Sequence, residues 1–246
     1  MIPIRLPLPT FLRSRSATSA TSAATTLFAL FAVIASPSAR AHDVLIVDAS
    51  GAGDHESVAA AVDAACEGDV IRVRPGTYVE SIDSRKSVTI EGTADASQIV
   101  LSGLDVHRIL RVRAGARVTV RDLTFTRGYN MDVGAAIYVR EGSRITIERC
   151  RFVDNHVGHD GGAVHVRNQR SLMRIVDSVF EGNTSGFTSG AASAVLNAAL
   201  DVENSVFVGN RALVAGAIGV NASRLTVANS LFVENDGAVS AVRFLE

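Results

Sequence analysis

The sequence predicts an all-β fold: a single-stranded right-handed parallel β-helix, or solenoid, with a short N-terminal capping helix. Three observations predict it. A phenylalanine-centred segment recurs five times at near-constant spacing. Each of the first four copies is followed by a second strand-like segment that opens on small residues, and no window of helical periodicity runs through either. Self-similarity at this period, period-two alternation within segments, and Asn or Gly at the corners mark coils that stack strand on strand.

In chain order, residues 1–41 read as an export signal. Arg5, Arg13 and Arg15 give a positive start, Leu27 to Ala35 an apolar stretch, and Ala39-Arg40-Ala41 a small-x-small cleavage pattern. The apolar stretch is too short to span a bilayer, which takes ~20 residues. The mature chain is therefore expected to begin at His42, to carry no transmembrane segment, and to be secreted or held at the cell surface. Residues 42–246 then form one β-helix domain. The whole chain of 246 residues has a net charge of −1, which argues against a nucleic-acid partner, since that needs a basic footprint.

Residues 57–66, SVAAAVDAAC, are the one amphipathic helix, with Val58, Ala61, Val62 and Ala65 on one stripe. The open end of a solenoid exposes core and strand edges, so a helix laid across it is the expected cap. Strand-like, turn-punctuated segments follow at 70–80, 87–92, 98–103 and 108–113.

The repeats begin at residue 117. Phe125, Phe152, Phe180, Phe207 and Phe232 recur at intervals of 27, 28, 27 and 25. Seven residues before each stand Val118, Ile145, Met173, Leu200 and Leu225; five before stand Val120, Ile147, Ile175, Val202 and Val227. Three before come Asp122, Arg149, Asp177, Asn204 and Asn229, mostly short polar residues. Three after come Gly128, Asn155, Asn183, Asn210 and Asn235, an amide column able to form a side-chain ladder where the chain bends. The second strands are 134–140, 161–168, 190–197 and 215–221, each opened by small residues that let a strand begin tightly after a loop. The chain stops at VRFLE, inside what reads as the next strand. That end is expected to be covered by more chain, a partner or another subunit.

Cys66 and Cys150 fall several coils apart. At ~4.8 Å per coil they are too distant for a bond that needs Cα atoms within ~7 Å. Two buried thiols with no bond between them are expected.

Between the two strands of each unit the polar content changes completely: YNMDV, HVGHD, TSGFTS, RALV and DGA. His156, His159 and Asp160 are then either ordinary solvated loop residues or part of a Ca²⁺ site. In that site Asp132, Asp154 and Asp160 from neighbouring coils would supply hard oxygen ligands. No spacing on one element suits zinc. If Ile137, Val139, Val164 and Val166 point inward, Tyr138 and His165 share an outward column, with Arg140 and Arg167 in the next. Two guanidiniums one strand spacing apart repel, and an anionic partner relieves this. A carboxylated sugar stacked on Tyr138 fits that face, and hydrated arginines on a solvent face are the alternative.

The stretch VDASGAGDHESVAAAVDAACEGDVIRVRPGTYVES, residues 47–81, resembles the opening of pectin-lyase-like right-handed β-helix proteins, pectinesterases above all. Its Gly76, Tyr78 and Glu80 match their GxYxE pattern. The FxxN and GGA[I/V] units resemble the repeats of polymorphic outer membrane proteins, which are autotransporter passengers. Together these resemblances cover nearly all of residues 44–242. They imply fold more than activity. The paired Gln-Asp element and DFIFG-like strand of pectinesterases are absent after residue 100, and GHDGG at 158–162 only superficially echoes a polygalacturonase element. Glu141, Glu148 and Glu181 share no face that would suit a glycosidase pair. Two readings stay open. One is an exported, adhesin-like or glycan-binding scaffold without catalysis, whose partner is an anionic polysaccharide or cell-surface glycan. The other is a Ca²⁺-dependent polysaccharide lyase of the pectate-lyase type, with Asp154, His159, Asp160 and Arg167 as its candidate catalytic residues.

Overall fold

The computed structural model describes residues 42–238 and the backbone of 240–245. The export signal expected over 1–41 lies outside them. The chain coils through three parallel sheets. The first stacks Val44–Val47, Val70–Val73, Thr89–Gly92, Arg117–Arg121, Arg144–Glu148, Leu172–Val176, Ala199–Glu203 and Arg224–Ala228. The second runs from Gly76–Val79 to Leu231–Val233 and the third from Ile82–Ser84 to Ser240–Leu245, with seven strands each. Among the described residues every named strand pairing is parallel, and successive coils pair position for position.

The repeat frame becomes vertical columns. Val118, Ile145, Met173, Leu200 and Leu225 are paired in register, as are Val120, Ile147, Ile175, Val202 and Val227. Phe125, Phe152, Phe180, Phe207 and Phe232 stack with ring centroids 4.5–5.0 Å apart and planes within 8° of parallel. The first four are fully buried. The column continues upward through Leu101 and Tyr78, so the same interior slot takes other shapes before the repeats begin.

Beside it, the amides form the expected ladder. Asn155, Asn183 and Asn210 each donate from Nδ2 to the next amide Oδ1 at 2.8–2.9 Å and to a phenylalanine carbonyl one coil earlier at 2.9–3.0 Å. A serine ladder runs parallel to it. Ser178, Ser205 and Ser230 hydroxyls accept from the backbone N–H one coil above, each at 3.1 Å. Both ladders satisfy backbone donors that a bend would otherwise leave buried and unpaired.

The helix spans Val58–Ala64, with Val58, Ala61 and Val62 buried against the first coils. Its ends are tied from below. Ser57 Oγ accepts from Ala60 N, and the buried Glu80 carboxylate accepts from Val58 N at 2.6 Å and Ala59 N at 3.1 Å. Lys86 Nζ donates to the carbonyls of Val62, Asp63 and Ala65. An acid at the N-terminus and a base at the C-terminus also suit the helix dipole. Glu80 thus fixes the cap to the second coil.

Burial raises the Glu80 pKa against the lowering effect of its two backbone donors. The folded chain therefore binds this proton more tightly than the unfolded one. The stability contribution falls as pH rises from the ordinary carboxylate range through the raised value. We expect Glu80→Ala to destabilise by about 2–3 kcal/mol, since two N–H groups lose a charged acceptor. Glu80→Gln should remove the pH dependence, and urea unfolding of both variants at pH 5 and pH 7.5 checks this.

The cysteines differ from expectation in one respect. Cys150 is buried in the serine-ladder column, and burial pushes its thiol pKa up to about 12. Cys66 is exposed, because the helix ends at Ala64 and Ala65 takes the last inward position.

Candidate functional site

The loops of differing sequence are not irregular. Tyr129–Asn130, His156–Val157 and Thr184–Ser185 form a small parallel sheet of their own. Below it, bridges between Val133 and Asp160 and between Ser189 and Ala215 keep the descending chain in step. That chain folds back over the outer face of the third sheet. Gly134 and Gly161 make the approach possible: both have positive φ, 55° and 65°. A methyl on Gly134 would stand 2.6 Å from Ile137 O and 3.0 Å from His165 Cβ.

This roof corrects the expected outer face. Ile137, Val139, Val164 and Val166 do point inward and are fully buried. Tyr138 and His165 pair across adjacent coils as expected, yet they are 6% and 1% exposed and offer no open stacking platform. Arg108 closes the space. It donates through Nε to Gly134 O at 2.8 Å and through Nη2 to Val133 O at 2.5 Å, and it lies 4.7 Å over the Tyr138 ring.

The column containing Tyr138 reads Asp83, Arg111, Tyr138, His165, Ser193 and Gly219 from coil to coil. Arg140 and Arg167 occupy the next row on successive coils, followed by Val195 and Asn221. Arg108, Arg111, Arg140 and Arg167 thus converge around one tyrosine and one histidine. Burial and the Arg111 charge pull Arg108 down to about 10, so it stays a cation at neutral pH. Glu141 Oε1 lies 3.0 Å from Arg140 Nε without the alignment of a hydrogen bond.

Polar satisfaction singles this face out. Among the described residues, the buried side-chain polar atoms without a hydrogen-bond partner are Arg111 Nε, Arg140 Nε, His165 Nε2, Arg167 Nε and Ser189 Oγ. All five lie on the outer face of this sheet or on the chain that crosses it.

The acid/base chemistry is poor. His165 Nδ1 lies 2.5 Å from Ser193 Oγ, the contact a nucleophile makes with its base. Burial, then Arg167 and Arg108, lower the His165 pKa to about 3. An imidazolium formed there would face guanidiniums and no carboxylate, so His165 is a weak base for Ser193.

The carboxylates do not gather into a metal site. Asp132 and Asp160 lie in adjacent crossings, where Asp132 O accepts from His159 N and Asp160 N. Asp160 Oδ1 accepts from Thr188 N at 3.2 Å, and Oδ2 pairs with His159 Nδ1 at 3.2 Å. His159 is exposed and tilts against Phe187. Asp154 stands at the preceding bend with φ 53°, its carboxylate beside Gly182 of the next coil. Among the described residues no group of three or more His, Cys, Asp or Glu side chains could hold a metal ion. The expected set of Asp132, Asp154 and Asp160 does not converge, because the bend separates Asp154 from the other two. The candidate catalytic group Asp154, His159, Asp160 and Arg167 is likewise dispersed, with only His159 and Asp160 in contact. His156 bonds Thr184 Oγ1 at 2.7 Å and stacks on Tyr129, a contact that holds the small sheet together.

A family model described as a right handed beta helix region matches residues 72–241. The chain belongs to the right-handed β-helix family. No curated protein matches this β-helix chain. Its fold is similar to pectin methylesterase PemA from Erwinia chrysanthemi at 13% identity and a TM-score of 0.49, over 77% of this chain and 67% of that one. It is also similar to Escherichia coli ybhc, at 13% identity and a TM-score of 0.45, over 85% of this chain and 73% of that one. Rice weevil pectin methyl esterase matches at 11% and 0.44, over 81% and 89%. In this β-helix the GxYxE-like residues are structural: Tyr78 fills the phenylalanine column and donates to Arg74 O, and Glu80 caps the helix.

The sequence pattern named Tyr138, Arg140, His165 and Arg167 for this face and did not name Arg111, Arg108 and Ser193, which the structure places beside them. The signal for Arg111 and Ser193 was present: they stand one repeat before Tyr138 and one after His165. Arg108 lies where the later units carry GGA, so its sequence position alone gives no hint of a clamp.

Proposed function

We propose that this β-helix is an exported, cell-surface or extracellular scaffold that binds an acidic glycan on the outer face of its third sheet, without catalysis. The observation that carries the reading is that, among the described residues, the buried polar atoms without a hydrogen-bond partner all lie on this face or on the chain that crosses it, three of them guanidinium Nε donors, of which Arg140 has the Glu141 carboxylate nearby. The Nε atoms are buried, but Arg140 and Arg167 are part-exposed, so a carboxylated ligand meets this guanidinium row from outside and supplies counter-charge and charge-assisted acceptors together. The weak basicity of His165 and the scattered Asp132, Asp154 and Asp160 favour binding over the Ca²⁺-dependent lyase.

Titration calorimetry with polygalacturonate and a neutral glucan of equal length tests it. Binding of the acidic chain alone is expected, weakened by added salt and reduced about tenfold or more in Arg140→Ser/Arg167→Ser. Ultraviolet lyase assays on polygalacturonate and alginate, with and without Ca²⁺, should stay flat. Product absorbance that Asp160→Ala abolishes would overturn the scaffold reading.

A further inference from the structure

Beyond Arg167 the outward columns taper. Tyr138, His165, Ser193 and Gly219 shrink coil by coil, and a cavity of about 40 Å³ opens over the last two. Ser193, Val195, Val214, Gly219, Asn221 and Asp160 line it. We propose that this cavity is a subsite for an acetyl substituent of the bound sugar, an inference that rests on the acidic-glycan reading.

Size is the first argument. One water-sized group needs about 10–15 Å³ by this measure, so the space takes about three, as an acetyl's methyl, carbonyl carbon and oxygen require. Chemistry is the second. Val195 and Val214 give the methyl an apolar wall. Asn221 at the mouth carries a side-chain amide whose N–H groups are donors. An acetyl carbonyl, which has no donor of its own, accepts there. Charge is the third. Asp160 at the rim repels a second carboxylate, and both its oxygens are engaged by Thr188 N and His159, so the group entering here is neutral. Position is the last. Val195 pairs with Arg167 on the adjacent coil, so the cavity opens one strand spacing, ~4.8 Å, from the guanidinium row. A chain whose carboxylates lie along the arginines brings a ring substituent to the cavity.

The test compares an O-acetylated polyuronate with the same sample after mild deacetylation, and with a polymer alternating uronate and N-acetylhexosamine. The acetylated chain should bind about tenfold tighter than its deacetylated form, the gain of one buried methyl and one hydrogen bond. Val214→Phe should erase that preference while leaving the deacetylated chain bound as before. Asn221→Leu, an exposed substitution at the mouth, does the same if the first variant folds poorly. Equal affinity of the native chain for both forms, or a preference that survives both variants, overturns the proposal. The N-acetyl polymer shows whether ester or amide is preferred.

If no polymer binds, the acidic-glycan reading falls, and saturation-transfer NMR on acetylated monosaccharides still decides the cavity. A methyl signal that Val214→Phe removes supports the acetyl site. Its absence from the native chain overturns it.

Discussion

Asn183→Asp is expected to destabilise the fold by about 3–5 kcal/mol at neutral pH, the range seen when a buried charge loses its compensation. The Asn183 side chain is fully buried and makes four hydrogen bonds. Its Oδ1 accepts from Asn155 N and Asn155 Nδ2; its Nδ2 donates to Phe152 O and Asn210 Oδ1. Aspartate keeps the two acceptor contacts and turns both donor contacts into oxygen facing oxygen. Burial and those facing oxygens favour the protonated form and raise the carboxyl pKa. The folded variant then binds its proton more tightly than the unfolded chain, so stability falls as pH rises from about 4 through the raised value. Urea unfolding at pH 5 and pH 7.5 should show the deficit shrinking on acidification. Asn235→Asp, at a part-buried position lower in the ladder, should be milder. A neutral-pH loss below 1 kcal/mol in Asn183→Asp would mean the ladder does not hold the bend.

The columns were legible because stacking turns sequence period into spatial identity. Phe152 and Phe180 could be placed one above the other from spacing alone, and so could Asn155 and Asn183. What the frame hid depends on backbone conformation and on what covers a surface. Arg149 holds φ 49° at a bend where Asp122, Asp177, Asn204 and Asn229 hold 48–58°. The bend is set by the coil, and the side chain only tolerates it, with Arg149 bonding Asp122 across the rungs. The serine ladder escaped notice because its column begins with Leu123 and Cys150, so the residue type changes before the pattern settles. The burial of Tyr138 and His165 was invisible for a different reason. Period two says which side of the sheet a residue faces, and it says nothing of a second layer that folds back over that side. Only the glycines at 134 and 161 hinted at the close approach.

Phe180→Ala should destabilise by about 3–5 kcal/mol, since it removes a large buried side chain and leaves a cavity that stacked coils cannot easily close. Phe180 lies 4.5 Å from Phe152 and 4.7 Å from Phe207 by ring centroid, with no exposed surface. Each phenylalanine is clamped by register, because the neighbouring strands pair Phe152, Phe180 and Phe207 directly. Inward collapse would have to break hydrogen bonds on three coils at once. Phe180→Leu should be far milder, about 1 kcal/mol, because Leu101 already fills the equivalent slot above Phe125. The stacked rings add a term beyond burial, about 0.5–1.5 kcal/mol per pair, which a double-mutant cycle of Phe152→Leu and Phe180→Leu isolates. Denaturant melts of the four chains measure it. A coupling near zero would assign the column's stability to volume alone and make the ring planes a consequence of strand pairing. A coupling in the stated range would make aromatic stacking an independent reason for a phenylalanine in every repeat, since leucine fills the space without it.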